Sequence, residues 1–255
     1  MATDMATLTH SSIETTDEQY YEVAAPRSLG ERMVVAARDR IYDDLMQCCR
    51  PGPHDTILDV GVSDVVNDAA NVLERKYPHQ ERITGVGLGT GTAFKASYPK
   101  AAYRQIEANQ PLPFADGAFE FAVSNAVLEH VGSHWDQAAF VRDLTRVAKK
   151  VFISVPNRYF PVEHHTAIPL LHFWKRSFGM ACRALGKSAW ADERNLILMS
   201  RQSLAALVPG GIVPRIGHTG IALGPFSSNL FMFIDTGAPA AGTPEAEPLT
   251  RPSGP

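Results

Sequence analysis

Cysteine is scarce, with three in 255 residues. Cys48 and Cys49 are adjacent, which strains a mutual bridge, and Cys182 stands alone among apolar residues. A disulfide scaffold is excluded, and so is a zinc knuckle, which needs its ligands in spaced pairs; three reduced thiols are expected. Long apolar runs are missing too, since nothing approaches the roughly 18 residues of a membrane span. The first 26 residues hold no Lys or Arg and no apolar core of the signal-peptide kind. A cytoplasmic protein is expected. Neither sign of charge dominates, with 24 Lys+Arg against 27 Asp+Glu. The basic residues are scattered, densest at Lys149-Lys150 and Lys175-Arg176, so no stripe suits a phosphate backbone and nucleic acid is not the expected partner. There is no internal repeat.

What is present is an ordinary globular composition, 45% hydrophobic and 20% charged, enough for one large domain with a proper core. Residues 1–18, rich in Ser, Thr and acids without periodicity, read as a disordered arm. Residues 236–255, with five prolines among Gly, Ala and Thr, read as a disordered tail. Residues 19–235 form the domain. Met33, Ala37, Ile41 and Leu45 recur every four residues over 28–48, one stripe of a helix that Pro51-Gly52-Pro53 stops. Thr56-Ile57-Leu58-Asp59-Val60 is the first buried strand, and Val66, Ala69, Ala70, Leu73 and Tyr77 mark the helix after it. Further strands are expected over 83–88, 103–106, 119–124 and 151–155, the last preceded by a helix marked by Phe140, Leu144, Val147 and Ala148. Strands over 212–216 and 230–234 close the set, their order open. Strands alternating with helices predict an open, doubly wound α/β sheet.

Residues 156–200 interrupt that alternation and carry Phe160, Phe173, Trp174, Phe178 and Trp190 with His164, His165 and His172. They read as a cap. In open α/β sheets the ligand crevice lies beyond the carboxyl ends of the strands, within reach of an insertion after the fifth strand and of a helix ahead of the first.

Two turns carry chemistry. Asp59-Val60-Gly61-Val62-Ser63-Asp64 ends the first strand in an acid and a glycine, where a ligand can lie against the backbone before a helix N-terminus. More specific is the run from Leu112-Pro113-Phe114 through Phe121-Ala122-Val123-Ser124-Asn125 to Glu129-His130: a Pro-braked loop, a buried strand and a polar exit into the crevice. A rival lies at Gly85-Val86-Gly87-Leu88-Gly89-Thr90-Gly91, with Glu107 at about the separation of a dinucleotide fold's ribose acid. Its glycine spacing fails, because Thr90 or Thr92 stands where the third glycine is needed.

From about Thr56 to Asn157 the chain resembles the class I S-adenosylmethionine-dependent methyltransferases, specifically the small-molecule branch that includes ubiquinone and menaquinone biosynthetic enzymes. The resemblance implies a Rossmann-like seven-stranded sheet with the last strand antiparallel, here with an N-terminal helix and an inserted cap after the fifth strand. It implies S-adenosylmethionine lying over the first and fourth strands. By position, Asp59, Gly61 and Ser63 form the cofactor turn, Gly87 ends the second strand, Glu107 and Ala108 lie near the adenine, and Asn125 stands beside the reacting methionine moiety. Two departures from the pattern stand out. Ser63 and Val65 replace two further glycines of the turn, and Gly87 replaces the acid that usually holds both ribose hydroxyls, a loss on the order of 1.5 to 3 kcal/mol per charge-assisted bond unless another acid substitutes.

The resemblance implies methyl transfer by in-line displacement to a small, partly apolar acceptor, a reaction that needs chiefly positioning in a closed pocket. If the acceptor is a hydroxyl or amine a base must take its proton. His130, with Glu129 beside it, is the best-placed candidate, and the plainer alternative is a histidine that bonds backbone at a helix start. Related quinone O-methyltransferases bind a metal through a Glu-x-x-Glu-His run, but here Ala126 replaces the first Glu, so no metal is expected. The cap run Glu163-His164-His165 reads as cap structure, with Glu163, His165 and Trp174 as substrate contacts; Tyr20 and Tyr21, ahead of the first helix, are two more. The rival functions are a degenerate member acting as a partner subunit and a non-methylating reaction on the same fold. Oligomeric state is not readable.

Overall fold

A computed structural model of the chain describes residues 29–64 and 70–237. The arm 1–18, Tyr20, Tyr21, Val66, Ala69 and most of the tail lie outside the described residues.

Helix α1 (Leu29–Cys49) ends where Arg50 turns left-handed (φ 50) and returns its N–H to Met46 O at 2.9 Å, a C-terminal cap that the following Pro-Gly-Pro cannot extend. Its stripe is buried at Ala37, Ile41 and Leu45, while Met33 is exposed. Seven strands follow: β1 (Ile57–Val60), β2 (Ile83–Gly87), β3 (Ala102–Gln105), β4 (Phe119–Asn125), β5 (Ala148–Pro156), β6 (Arg215–Thr219) and β7 (Asn229–Asp235). They make one sheet in the order β3-β2-β1-β4-β5-β7-β6. The first five pair in parallel, and β7 runs antiparallel between β5 and β6. This is the Rossmann-like sheet expected, last strand reversed. The chain winds outward from β1 to β3 and restarts at β4 on the other side of β1. The β1/β4 boundary is therefore the switch point where such sheets take ligands.

Strand alternation builds two apolar layers. Leu58, Val86, Ala122 and Ile153 point to the face covered by helix α4 (His134–Val147) and helix α6 (Arg201–Ala205). Ile57, Ile83, Phe121 and Phe152 point to the other face, against Ile41 and Leu45 of α1, Leu73 of helix α2 (Val72–Lys76) and Phe94 of helix α3 (Thr92–Ser97). The central strands are buried on both sides, which is why they read as continuous apolar runs.

Three local expectations are corrected. Among the described residues no helix joins β3 to β4. Pro111 and Pro113 remove donors there, and Arg146 holds the loop by donating to Leu112 O and Phe114 O at 2.9 and 2.8 Å. Ala148 opens β5, pairing with Phe119, rather than ending α4. Strand β6 starts at Arg215, beyond Pro214, because its register is set by β7: Gly217 lies opposite Phe231, whose ring fills the space of the missing side chain.

The cap follows β5. Helix α5 (Lys175–Ala184) and short turns gather Ile168, Phe178, Cys182, Trp190 and Leu196 into a small core of their own. Asn157 anchors its start by donating to Ser227 O and Pro225 O at 2.8 and 3.1 Å.

Candidate active site

A crevice of about 560 Å³ opens at the carboxyl ends of β1 and β4, lined by Arg38, Tyr42, Asp59, Gly61, Asn71 and Asn125 among others. Gly61 turns the chain out of β1 with φ +98 and a Cβ there would lie 2.2 Å from Val127 Cγ2, so only glycine fits. Ala126, at φ 56, makes the sharp exit from β4 that sets Val127 against this turn. Asn125 is fixed by the Ser154 hydroxyl, which donates to its Oδ1 at 2.5 Å.

Charge is buried beside the crevice. Burial raises the Asp59 carboxyl to about 7, against the lowering influence of its neighbours Glu74 and Arg38. Glu74 is fully buried, and burial followed by the charge of Asp59 raises it well above the ordinary range. At neutral pH such a pair keeps at least one proton.

The turn after β2 is packed by the protein itself. A Cβ on Gly87 would stand 2.7 Å from Val62 O and 3.1 Å from the Tyr103 hydroxyl, which donates to Gly89 O at 2.7 Å. The acid nearest this turn comes from the β1 side: Asp64 accepts from the Gly91 N–H (2.8 Å) and the Phe94 N–H (3.1 Å).

Beyond the crevice lies a chain of titratable side chains. The turn Leu128–His130 is held by Gln137, whose Nε2 donates to Leu128 O at 2.8 Å. His130 Nδ1 faces Asn195 O at 2.7 Å and its Nε2 faces His165 Nε2 at 3.1 Å. His165 Nδ1 in turn meets Glu163 Oε1 at 2.7 Å. Glu163 also accepts from the backbone N–H groups of His165 and Thr166 and from the Thr166 hydroxyl, the last at 2.6 Å. Burial alone would raise Glu163, but the His165 hydrogen bond and charge, with those other donors, bring it down to about 2. Burial drives His130 down to about 3 and His164 to about 4, because a buried cation loses its hydration. Burial raises Glu129 to about 7, and neither of its oxygens is hydrogen-bonded. Arg38 lines the crevice, and its charge acts on Asp59, Glu129 and His164 alike.

Of the residues singled out in the sequence, Asp59, Gly61 and Asn125 line the crevice. Ser63 is buried and exchanges two backbone hydrogen bonds with the Asn71 amide at 2.9 and 2.8 Å. Gly87 lies under Val62, and Glu107 and Ala108 are exposed after β3, outside the crevice lining. Glu129, His130, Glu163 and His165 come together, whereas Trp174 is 65% exposed. Sequence reasoning missed Arg38, Asp64 and Asn195. Arg38 carried a weak signal, an arginine directly beside the buried stripe at Ala37; Asn195 acts through a carbonyl and carried none.

Residues 58–151 match the family model described as a methyltransferase domain. Solved structures share the fold at low identity. A methyltransferase from Aquifex aeolicus, described as dependent on S-adenosylmethionine, aligns at 14% identity and TM-score 0.50, over 86% of this chain and 97% of its own. The N-methyltransferase NodS of Bradyrhizobium japonicum, in complex with S-adenosyl-L-homocysteine, aligns at 11% and 0.53 over 88% and 99%. Magnesium protoporphyrin IX methyltransferase from Synechocystis aligns at 10% and 0.53 over 90% and 98%. No protein of curated function matches the sequence.

Proposed function

Since residues 58–151 match a methyltransferase-domain model and the sheet has the Rossmann-like order of the methyltransferases it aligns with, we propose that the chain transfers a methyl group from S-adenosylmethionine to a small, partly apolar acceptor. The observation that carries the reading is the crevice at the switch point, with Asp59, Arg38 and Asn125 at its wall. The cofactor has a zwitterionic amino-acid end, and a buried carboxyl next to a buried guanidinium is complementary to it: Arg38 takes the carboxylate and Asp59 the ammonium. When bound, the cofactor supplies a methyl group already activated on a sulfonium. At the nucleoside end Gly87 leaves no room for a side-chain acid. Asp64, whose carboxylate keeps lone pairs beyond the two it commits to Gly91 and Phe94, takes over the ribose hydroxyls.

The remaining work belongs to the acceptor side. The cap excludes water, and Trp190, with ring centroids 6.1 Å from His130 and 4.8 Å from His165, gives that side an apolar wall. His130 and Glu129 activate the acceptor heteroatom, and Asn195 O and Glu163 orient the two imidazoles. In-line displacement then needs only that the acceptor be held in register, which is where most of the barrier reduction of such transfers arises.

The test is calorimetric titration with S-adenosylmethionine, S-adenosylhomocysteine and NAD. Micromolar binding of the first two, about −8 kcal/mol, with loss of at least tenfold in Asp64→Asn, is expected. Silence toward both would make the degenerate partner the better reading, and binding of NAD alone would move the ligand to the glycine turn after β2.

A further inference from the structure

We propose that Glu129, His130 and His165 form a site for a divalent cation of the zinc type, bound through two imidazole nitrogens and one carboxylate. Among the described residues these three bring their ligand atoms within 4.8 Å of one another. The hydrogen bonds behind them decide what those atoms offer. His130 Nδ1 faces a backbone carbonyl, Asn195 O, which can only accept, so Nδ1 carries the hydrogen and Nε2 the lone pair. His165 Nδ1 faces Glu163, a carboxylate that already accepts from two backbone N–H groups and a hydroxyl. That carboxylate has no proton to give, so His165 also presents its Nε2 lone pair.

Two lone pairs therefore face each other at 3.1 Å, an arrangement that repels unless a cation stands between them. A proton could do so, but it would leave Glu129 unanswered. That side chain is 1% exposed, has no hydrogen bond on either oxygen and holds Oε1 3.9 Å from His130 Nε2. A metal ion answers all three groups at once. Nitrogen ligands at about 2.05 Å in tetrahedral geometry lie about 3.3 Å apart, close to the separation found here. Two imidazoles and a carboxylate favour zinc, cobalt or iron over magnesium and calcium. Asn195 O and Glu163 complete the pattern, because imidazole ligands to metals ordinarily donate their other N–H to a carbonyl or carboxylate.

Three protein ligands leave a coordination position open. His130, the only one of the three with appreciable exposure, at 27% of its side chain, marks the solvent side. A hydroxyl bound there loses its proton to solvent near neutral pH, leaving an alkoxide-like oxygen to take the methyl group. In that role the inference rests on the methyl-transfer reading, whereas the binding of the ion does not.

The experiment uses the full chain, stripped with a chelator and titrated calorimetrically with Zn²⁺, Co²⁺ and Mg²⁺, with S-adenosylmethionine binding measured on the same preparations. One Zn²⁺ per chain at micromolar or tighter Kd is expected, with an absorption spectrum of tetrahedral Co²⁺ and no uptake of Mg²⁺. His130→Gln and Glu129→Gln should each weaken Zn²⁺ by at least tenfold, Glu163→Gln by about 10 to 100-fold, and His218→Gln on β6 should change nothing. Far-UV circular dichroism establishes that each variant is folded. If the buried His165 variant is not, the partly exposed His130 carries the test. Absence of a stoichiometric ion, or uptake that survives His130→Gln and Glu129→Gln, overturns the inference and returns the imidazole pair to a shared proton. Cofactor binding without metal uptake sinks this inference alone; metal uptake without cofactor binding sinks the methyl-transfer reading and leaves the site standing.

Discussion

Restoring an acid at position 87 is the substitution that family resemblance recommends and that the structure forbids. Gly87 is buried in β2, and its missing Cβ would lie 2.7 Å from Val62 O, 3.1 Å from the Tyr103 hydroxyl and 3.6 Å from Val62 Cγ2. The first contact is to backbone at the turn out of β1, whose Gly61 and Val62 amides both donate to Val86 O at 2.8 and 3.1 Å, so it yields only if that turn moves. Gly87→Ala should cost about 1 to 3 kcal/mol as overpacking. Gly87→Asp should cost about 1 to 3 kcal/mol more, because its carboxyl meets acceptor oxygens and can pair only by taking the Tyr103 hydroxyl from Gly89 O. With a urea slope of about 2 kcal/mol/M, the midpoints should fall by about 1 M for alanine and about 2 M for aspartate. Gly87→Asp with Tyr103→Phe should recover only part of the loss, since the clash with Val62 O remains. Urea unfolding followed by circular dichroism, with cofactor titration alongside, decides it. An unchanged midpoint for Gly87→Asp together with tighter cofactor binding would refute the packing argument and show that the turn opens to admit a ribose on that acid.

Three further outcomes are expected. The proton held by Asp59 and Glu74 makes stability fall with rising pH. Both groups, faced by Arg38 from α1 and, beyond Glu74, by Tyr98, have folded pKa values above their unfolded ones. Their contribution is thus fully present below about pH 4 and is lost as pH rises through about 7. For Asp59, raised from 3.8 to about 7, the loss is on the order of 4 kcal/mol, and Asp59→Asn should flatten the difference between urea midpoints at pH 5 and pH 8; a slope that survives would clear the pair. Gln137→Leu removes the hydrogen bond to Leu128 O, should cost about 1 to 3 kcal/mol, and should lower kcat by shifting Glu129 and His130; full activity would show that the turn holds itself. Trp190→Ala, at 7% exposure, should cost about 3 to 5 kcal/mol, while Trp174→Ala, at 65%, should stay within about 0.5 kcal/mol. Equal losses in a thermal scan would contradict the cap packing described.

The buried strands, the stripe of α1 and the interruption after β5 were legible in the chain because each is a periodicity of nearby residues, and burial on one or both faces imposes it locally. The polar exit from β4 was legible for the same reason, as a short run whose order survives into space. Ala126 and Gly61 show the limit of that kind of reading. The glycine was readable as a turn, but the contact with Val127 that demands it joins residues 61 and 127. Strand order, the reversed β7 and the start of β6 depend on partners far along the chain, and no local pattern encodes the pairing.

The histidines make the point most sharply. In the sequence His165 stands next to His164 and near His172, and those neighbours gave no ligand spacing. Folding pairs it instead with His130, 35 residues earlier, and supplies Asn195 from another 65 residues beyond His130. By itself the sequence determined the layers of the fold, the turn at Asp59 and Gly61 and the presence of a cap, because each follows from hydrophobic period or backbone freedom within one segment. Only the tertiary structure decided that Gly87 is sealed by Val62, that Arg38 lines the crevice, and that two imidazoles and the Glu129 carboxylate converge. Those are facts of distance between segments, and they arise when distant strands pair and the cap meets the turn after β4.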